Sequence, residues 1–358
     1  MVCFVLSGGF GGKPGARRAI RMSAEPVGIG VIGCGRIGQV HAKTLAASMD
    51  AKLVVMADPI VDFAEPVAKS FGADFVADYK DLVNDPRVQG VVIGSPTPYH
   101  AEQIIASAEA GKDIFCEKPI SNDLEVIDKC LKVVEDKGVR LLTGFQRRFD
   151  PNFRKVKQEI VNGAIGDVRM FHITSRDPAP PPAEYLKKSG GIFLDMISHD
   201  FDMARFVSQS EIDEVFVTGK AFDPEAAEAE DFDSVVTMLR MKNGSFGTIE
   251  NSRSCAFGYD QRIEVFGSKG TLTGNNRGPS EVVLSNGEGI TSGLPFSFFM
   301  DRYTEGYRDI MTEFVDMIVN QKEPSVGGYD GRAPILAAMA CKLSAAENRP
   351  VFLKEVDV

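Results

Sequence analysis

The sequence predicts an α/β domain built on a parallel sheet, followed by an α+β domain with a largely antiparallel, open sheet. Three observations carry this. The chain has 358 residues, more than one ordinary core accommodates. Residues 27–142 alternate short apolar runs with amphipathic segments, the pattern of strands joined by crossover helices. Beyond Phe149 strand-like runs follow one another with little helix between them.

Taken in order, Val27–Ile32 (VGIGVI) reads as a buried strand and Ile37–Ser48 as a helix. Leu53–Ala57 is a second strand, Phe63–Phe71 a helix and Val88–Ile93 a third strand. A helix over Ala101–Ala110, a strand at Asp113–Cys116, a helix over Leu124–Asp136 and a strand at Val139–Leu142 complete the first domain, residues 27–149. The second domain, residues 150–358, opens with a linking helix at Pro151–Val161. Strands follow at Val168–Thr174, Val215–Ala221, Ser234–Met241, Ser245–Asn251 and Arg262–Phe266, with Asn243-Gly244 as a hairpin turn. Two late helices, Gly306–Asn320 and Pro334–Ala346, close the chain, and the C-terminal helix is a candidate to pack back on the first domain. The acidic stretch Asp223–Asp233 reads as a solvated loop.

The first 26 residues form an N-terminal extension with Lys13, Arg17, Arg18 and Arg21 and no acid before Glu25. That charge pattern resembles an organelle transit peptide; a tail, or a start at Met22, are the alternatives. The body of the protein is expected in the cytoplasm.

Composition narrows the function classes. Apolar residues make up 44% and charged residues 25%, an ordinary globular balance. A net charge of −10 with no basic stripe disfavours nucleic acid as a partner. No run of about 18 apolar residues suggests a membrane span. The six cysteines and four histidines are scattered, with neither a zinc signature nor a disulfide framework, so no metal is expected and the compartment reads as reducing.

Gly33-Cys-Gly-Arg-Ile-Gly38 fits G-x-G-x-x-G where a strand gives way to a helix, the context a dinucleotide requires. Gly33 permits the tight turn, Gly35 lets a pyrophosphate approach the backbone, and Gly38 lets helix and strand pack closely; Arg36 and Ile37 complete the turn. Asp58 lies 20 residues beyond Gly38, ending the second strand. There a carboxylate accepts from ribose hydroxyls and repels a 2′-phosphate, which favours NAD over NADP. Thr97 and His100 follow the third strand and are placed to border the nicotinamide, although His100 equally suits a helix cap.

Cys116-Glu117-Lys118-Pro119 ends another parallel strand, which puts Glu117 beside the cofactor and Lys118 across the cleft as a donor to a reacting oxygen. Asp195 and His199 are four apart, so on one helix they share a face. A histidine suits proton acceptance near neutral pH, and an Asp one turn away can orient it. Asp200 and Asp202 read as residues that cap or brace that helix.

The glycine turn, Glu117-Lys118-Pro119 and Asp195-x-x-x-His199, in that order, resemble the glucose-fructose oxidoreductase/inositol dehydrogenase (GFO/IDH/MocA-like) family over about residues 27–350. The resemblance implies a Rossmann domain, Lys118 as the active-site lysine, Asp195 with His199 as the catalytic pair, and a homotetramer or dimer. Gly144–Pro151, Ser175-Arg-Asp177 and Tyr259-Asp260 resemble the inositol 2-dehydrogenase branch, implying that Arg147, Asp177 and Tyr259 line a polyol pocket. Such an enzyme oxidises a secondary hydroxyl of a cyclic polyol, myo-inositol to 2-inosose, with NAD as hydride acceptor. Another sugar or a dihydrodiol is the neighbouring alternative, and a non-catalytic NAD-binding regulator the distant one.

Overall fold

The computed structural model describes residues 25–357. The expectations for the N-terminal extension lie outside the described residues, apart from Glu25 and Pro26.

The first sheet forms from β1 (Val27–Ile32), α1 (Arg36–Ala46), β2 (Ala51–Ala57), α2 (Val61–Ser70), β3 (Asp74–Val76), α3 (Tyr79–Val83), β4 (Gly90–Ile93), α4 (His100–Glu109), β5 (Asp113–Glu117), α5 (Leu124–Lys137) and β6 (Leu141–Gly144). Strand order is β3-β2-β1-β4-β5-β6 and every pairing is parallel. β1 and β4 are buried at every residue, which is why they read as unbroken apolar runs: helices cover both faces. β3 and α3 carry no clear sequence signal, because three and five residues are too few to display a period. Strand order reverses between β1 and β4, so a crevice opens at their carboxyl ends.

The second region runs α6 (Pro151–Val161), β7 (Val168–Arg176), α7 (Ala183–Ser189), α8 (Ile192–Asp195), α9 (Ser198–Ser208), β8 (Ile212–Lys220), α10 (Pro224–Glu228), β9 (Ser234–Met241), β10 (Phe246–Ser252), β11 (Asp260–Gly267), β12 (Thr271–Gly274), β13 (Val283–Asn286), β14 (Gly289–Ser292), α11 (Phe299–Arg302), α12 (Thr304–Asn320), α13 (Gly328–Glu347) and β15 (Val351–Phe352). Its main sheet has the order β12-β11-β7-β10-β9-β8-β15, antiparallel except for β7 against β10. Along β9, Val235, Thr237, Leu239 and Met241 turn inward while Val236, Met238 and Arg240 face out. The Asn243-Gly244 turn joins β9 to β10, with Gly244 at φ +87° and the Asn243 side chain accepting from the Ser245 N–H.

Three sequence readings change. α12 returns to the first sheet, where Ile310, Phe314, Met317 and Ile318 join a core with Ile29 and Val31. α13 begins at Gly328, ahead of Pro334. Asp330 explains this: its carboxylate accepts from the Gly327 N–H and from Arg148 and Arg205, anchoring the first turn strongly enough to tolerate an interior proline. Residues 223–233 are not a plain solvated loop. They hold α10, capped by Asp223, and a buried Asp233 whose carboxylate accepts from the Phe222 and Asp223 N–H groups. Among the described residues no helix is long and apolar enough to cross a membrane.

Candidate active site

The loops following β1, β2, β3 and β4 enclose a cleft of about 1220 Å³, closed on one side by Phe299 and Met300 of α11. Gly33, Gly35, Arg36, Ile37 and Asp58 line it. The three glycines differ in what a side chain would meet. At Gly33 (φ +96°) a Cβ would press on the Ser95 N at 2.7 Å; at Gly38 it would strike the Gly33 O at 1.9 Å. At Gly35 it would meet nothing within 4 Å, so that backbone faces open space. The first turn of α1 has neither a side-chain cap nor an acidic residue, leaving its N–H groups for an anion. The Asp58 carboxylate accepts from the Cys34 N–H and the Ile60 N–H, both at 2.9 Å, tying the glycine turn to the end of β2 while lone pairs remain toward the cleft. An open glycine, an uncapped helix start and this carboxylate fit a dinucleotide: diphosphate on α1, ribose on Asp58.

Three expected cofactor contacts lie elsewhere. The Glu117 carboxylate turns from the cleft to His41 Nε2 on α1, 2.7 Å away, beneath Phe115. His100 is 1% exposed, with Nδ1 2.7 Å from the Pro119 O and Nε2 2.8 Å from the Ser95 O, so it clasps two strand-end loops together. Thr97 sits on the short 3-10 turn before α4, outside the cleft lining.

Lys118 follows the last residue of β5, Glu117, and its peptide bond to Pro119 is cis. Its ammonium donates to the backbone O of Asp195 at 3.0 Å, bridging the two sheets' domains. Burial lowers its pKa, against the pull of Asp195 and Glu117.

Asp195 and His199 do not share one helix. Asp195 ends α8, His199 lies in α9, and Met196-Ile197 separate them. The Asp195 carboxylate accepts from the Tyr185 hydroxyl at 2.9 Å and from Arg253 at 3.2 Å rather than orienting the imidazole. His199 packs edge-on against Phe145, and its Nδ1 is buried without a partner. Burial holds its pKa well below the ordinary histidine value, assisted by the charges of Lys118 and Arg147, so the ring is neutral at pH 7.

Arg147, Asp177 and Tyr259 converge on the same place. Arg147 Nη2 lies 3.3 Å from the Tyr259 hydroxyl, and its Nη1 donates to Asp200. Asp200 and Asp202 are thus not caps: they sit buried on α9 as partners of the consecutive Arg147 and Arg148. Asp177 is pushed up to about 6, chiefly by burial, against the attraction of Arg253 and Arg147 and with repulsion from Asp195 and Asp200. Sequence reading missed Arg253 and Tyr185; one basic residue after a strand and one tyrosine on a seven-residue helix carry no pattern.

A nucleotide-fitting crevice on a parallel sheet, together with a cluster of buried donors, acceptors and a neutral imidazole, defines a two-domain NAD-binding oxidoreductase. Residues 27–145 match the oxidoreductase family with an NAD-binding Rossmann fold, and residues 153–273 match the GFO/IDH/MocA C-terminal domain. The chain is 44% identical to a myo-inositol 2-dehydrogenase of Thermotoga maritima, over 92% of this chain and 99% of that one. It is 44% identical to an inositol 2-dehydrogenase of Rhizobium meliloti, over 91% and 99% respectively. Scyllo-inositol dehydrogenase of Lactobacillus casei, solved with bound NAD(H) and scyllo-inositol, superposes with a TM-score of 0.86 at 29% identity, covering 92% of this chain and all of that one. The protein belongs to the GFO/IDH/MocA oxidoreductase family.

Proposed function

We propose that this protein oxidises a ring hydroxyl of an inositol, myo-inositol to 2-inosose, with NAD. The observation that carries the reading is the convergence of Lys118, Arg147, Asp177 and His199: the charges of Lys118 and Arg147 both act on His199, and that of Asp177 on Lys118. A ring of hydroxyls needs donors and acceptors around it. Arg147 and Lys118 supply the first, Asp177 and Asp195 the second, and a wrong stereoisomer leaves a buried group unpaired.

NAD, when bound, supplies the hydride acceptor. Gly33, Gly35, Arg36, Ile37 and Gly38 hold its diphosphate end and Asp58 its ribose. The neutral imidazole of His199 takes the hydroxyl proton. The Lys118 ammonium holds the oxygen as negative charge develops, in a site where burial strengthens that attraction. The substrate carbon loses its hydrogen with the bonding pair, and the oxygen is left double-bonded. Asp195 presents its carbonyl to Lys118 and its carboxylate to the pocket wall.

The names of the relatives support an inositol, and the polyol-matching donor set supports it independently. NADH formation across myo-, scyllo- and chiro-inositol, glucose and a dihydrodiol tests the substrate. The expected result is turnover with one or more inositols at a kcat/KM well above that for glucose. Turnover of glucose or the dihydrodiol alone would transfer the assignment to another substrate.

The outer face of the second sheet exposes Met170, Val236, Met238, Phe246 and Phe266, which supports a homo-oligomer, dimer or tetramer, with a second copy on this face. Sedimentation as a monomer at micromolar concentration would remove this. The described cysteines are buried free thiols, which supports a reducing, cytoplasmic setting.

A further inference from the structure

We propose that Arg253 is a positioning residue for the reaction: it clamps both ends of α8 and thereby fixes the direction of the Asp195 carboxylate and carbonyl. This rests on the reading of Asp195 and Lys118 as members of the polyol site.

The guanidinium of Arg253 is almost wholly buried, its side chain 2% exposed, just beyond the end of β10. Its Nη1 donates to Asp195 Oδ2 at 3.2 Å, at the C-terminal end of α8. Its Nη2 lies 3.8 Å from Asp231 Oδ2, and Asp231 Oδ1 accepts from the N–H of Ile192, where α8 begins. Gly191, at φ +85°, admits that approach: a Cβ there would sit 3.0 Å from the Asp231 oxygen. The Arg253 N–H in turn donates to the Asp233 O, so the acidic segment and β10 form one unit gripping one turn of helix. Four residues of helix have little stability of their own. The direction of the Asp195 groups, including the carbonyl that receives the Lys118 ammonium, therefore depends on this grip.

Arg253 retains unused capacity. Its Nε and Nη2 are buried without a hydrogen bond. It is also the foremost cation holding Asp177 ionised; the other groups facing Asp177 are Arg147 and Lys118, which assist, and Asp195, Asp200, Tyr185 and Tyr259, which do not. Removing Arg253 should therefore both loosen Asp195 and make Asp177 easier to protonate. A residue that only supports the fold would do neither.

The test compares wild type, Arg253→Met and Arg253→Lys, each alone and combined with Asp195→Asn, by kcat/KM for the polyol from pH 5 to 9 and by NADH binding fluorescence. For Arg253→Met the expected loss in kcat/KM is about 100-fold, the cost of misplaced groups. Its acid limb should move to higher pH and NADH affinity should stay within about twofold, since the cleft is not touched. Arg253→Lys should restore the limb, through its charge, and only part of the rate, because a single ammonium cannot span both carboxylates. In the Asp195→Asn background the Met substitution should cost much less than in wild type. An equal cost in both backgrounds, or an acid limb coincident with wild type in a folded Arg253→Met protein, overturns the proposal while leaving the polyol reading intact. Wild-type turnover by Asp195→Asn alone removes the reading beneath it. Should the Met variant fail to fold, Arg253→Lys decides: full wild-type rate and limb refute the clamp, because a single ammonium would then suffice where the fork is invoked.

Discussion

Lowering the pH from 7 to 5 should reduce kcat/KM for the polyol about tenfold, and Asp177→Asn should abolish that dependence. Asp177 is buried, and its carboxyl is pushed up to about 6. An acid of that strength is about ten-elevenths ionised at pH 7 and about one-eleventh at pH 5. If the ionised form is the hydroxyl acceptor, kcat/KM, which follows the free enzyme, tracks that fraction. Burial holds the His199 pKa well below the ordinary 6.5, which displaces its own titration to lower pH than an ordinary histidine's. Unfolding is separable by sign. The raised folded-state pKa of Asp177 gives stability that is full below its unfolded value of 3.8 and is lost as pH rises through about 6. His199 works the other way: its contribution is full above 6.5 and declines as pH falls toward its depressed value. Initial rates of NADH formation at sub-saturating polyol, with circular dichroism at each pH, read the effect. Asp177→Asn should have a flat acid side and a kcat/KM about 10–100-fold below wild type, the cost of a lost charged hydrogen bond. A flat wild-type profile from pH 5 to 7 in folded protein, or an unchanged limb in Asp177→Asn, would refute the reasoning.

Lys118→Met should lower kcat by at least about 100-fold, as loss of a donor to a developing oxyanion does, while NADH still binds; near-normal turnover would take the lysine out of the reaction. Asp58→Ser should shift the NAD/NADP preference toward NADP by about 10–100-fold in kcat/KM, since one charged acceptor is exchanged for a hydroxyl, and an unchanged ratio would count against the ribose assignment. Arg148→Met takes the bidentate partner from Asp202, 1% exposed in its side chain, leaving Arg205 at 3.6 Å, and removes one of the two cations on Asp330. Urea denaturation should show about 1–3 kcal/mol less stability, the cost of leaving a buried acceptor short of its donors while Arg205 still faces it, and no measurable loss would mean that Arg205 or water takes over the lost bonds.

The fold was legible where the physics is local. Buried parallel strands such as β1 and β4 announce themselves as apolar runs, and the alternation along β9 gives its two faces directly. The glycine turn was legible for the same reason. The positive φ of Gly33 belongs to the local backbone and Gly38 packs on the Gly33 O five residues before it, so spacing locates the turn, whereas the close approach of Ser95 to Gly33 is tertiary. Lys118, Arg147, Asp177, His199 and Tyr259 could be named from ordered motifs, and the fold brings them near one another.

What the sequence alone could not determine is which of several polar neighbours a side chain chooses. Glu117 pairs with His41, 76 positions away, and His100 spans Ser95 and Pro119 instead of facing a nicotinamide. The four-residue spacing of Asp195 and His199 suggested one helix, but the chain breaks between α8 and α9, and the carboxylate goes to Tyr185 and Arg253. A hydrogen bond is worth about 1 kcal/mol net, while a buried group left unpaired costs more. Partner choice is therefore decided by whatever complete set of pairings the packed domains allow. Periodicity and turn chemistry are properties of the chain and fixed the two sheets; that closing arrangement of charges exists only once they meet.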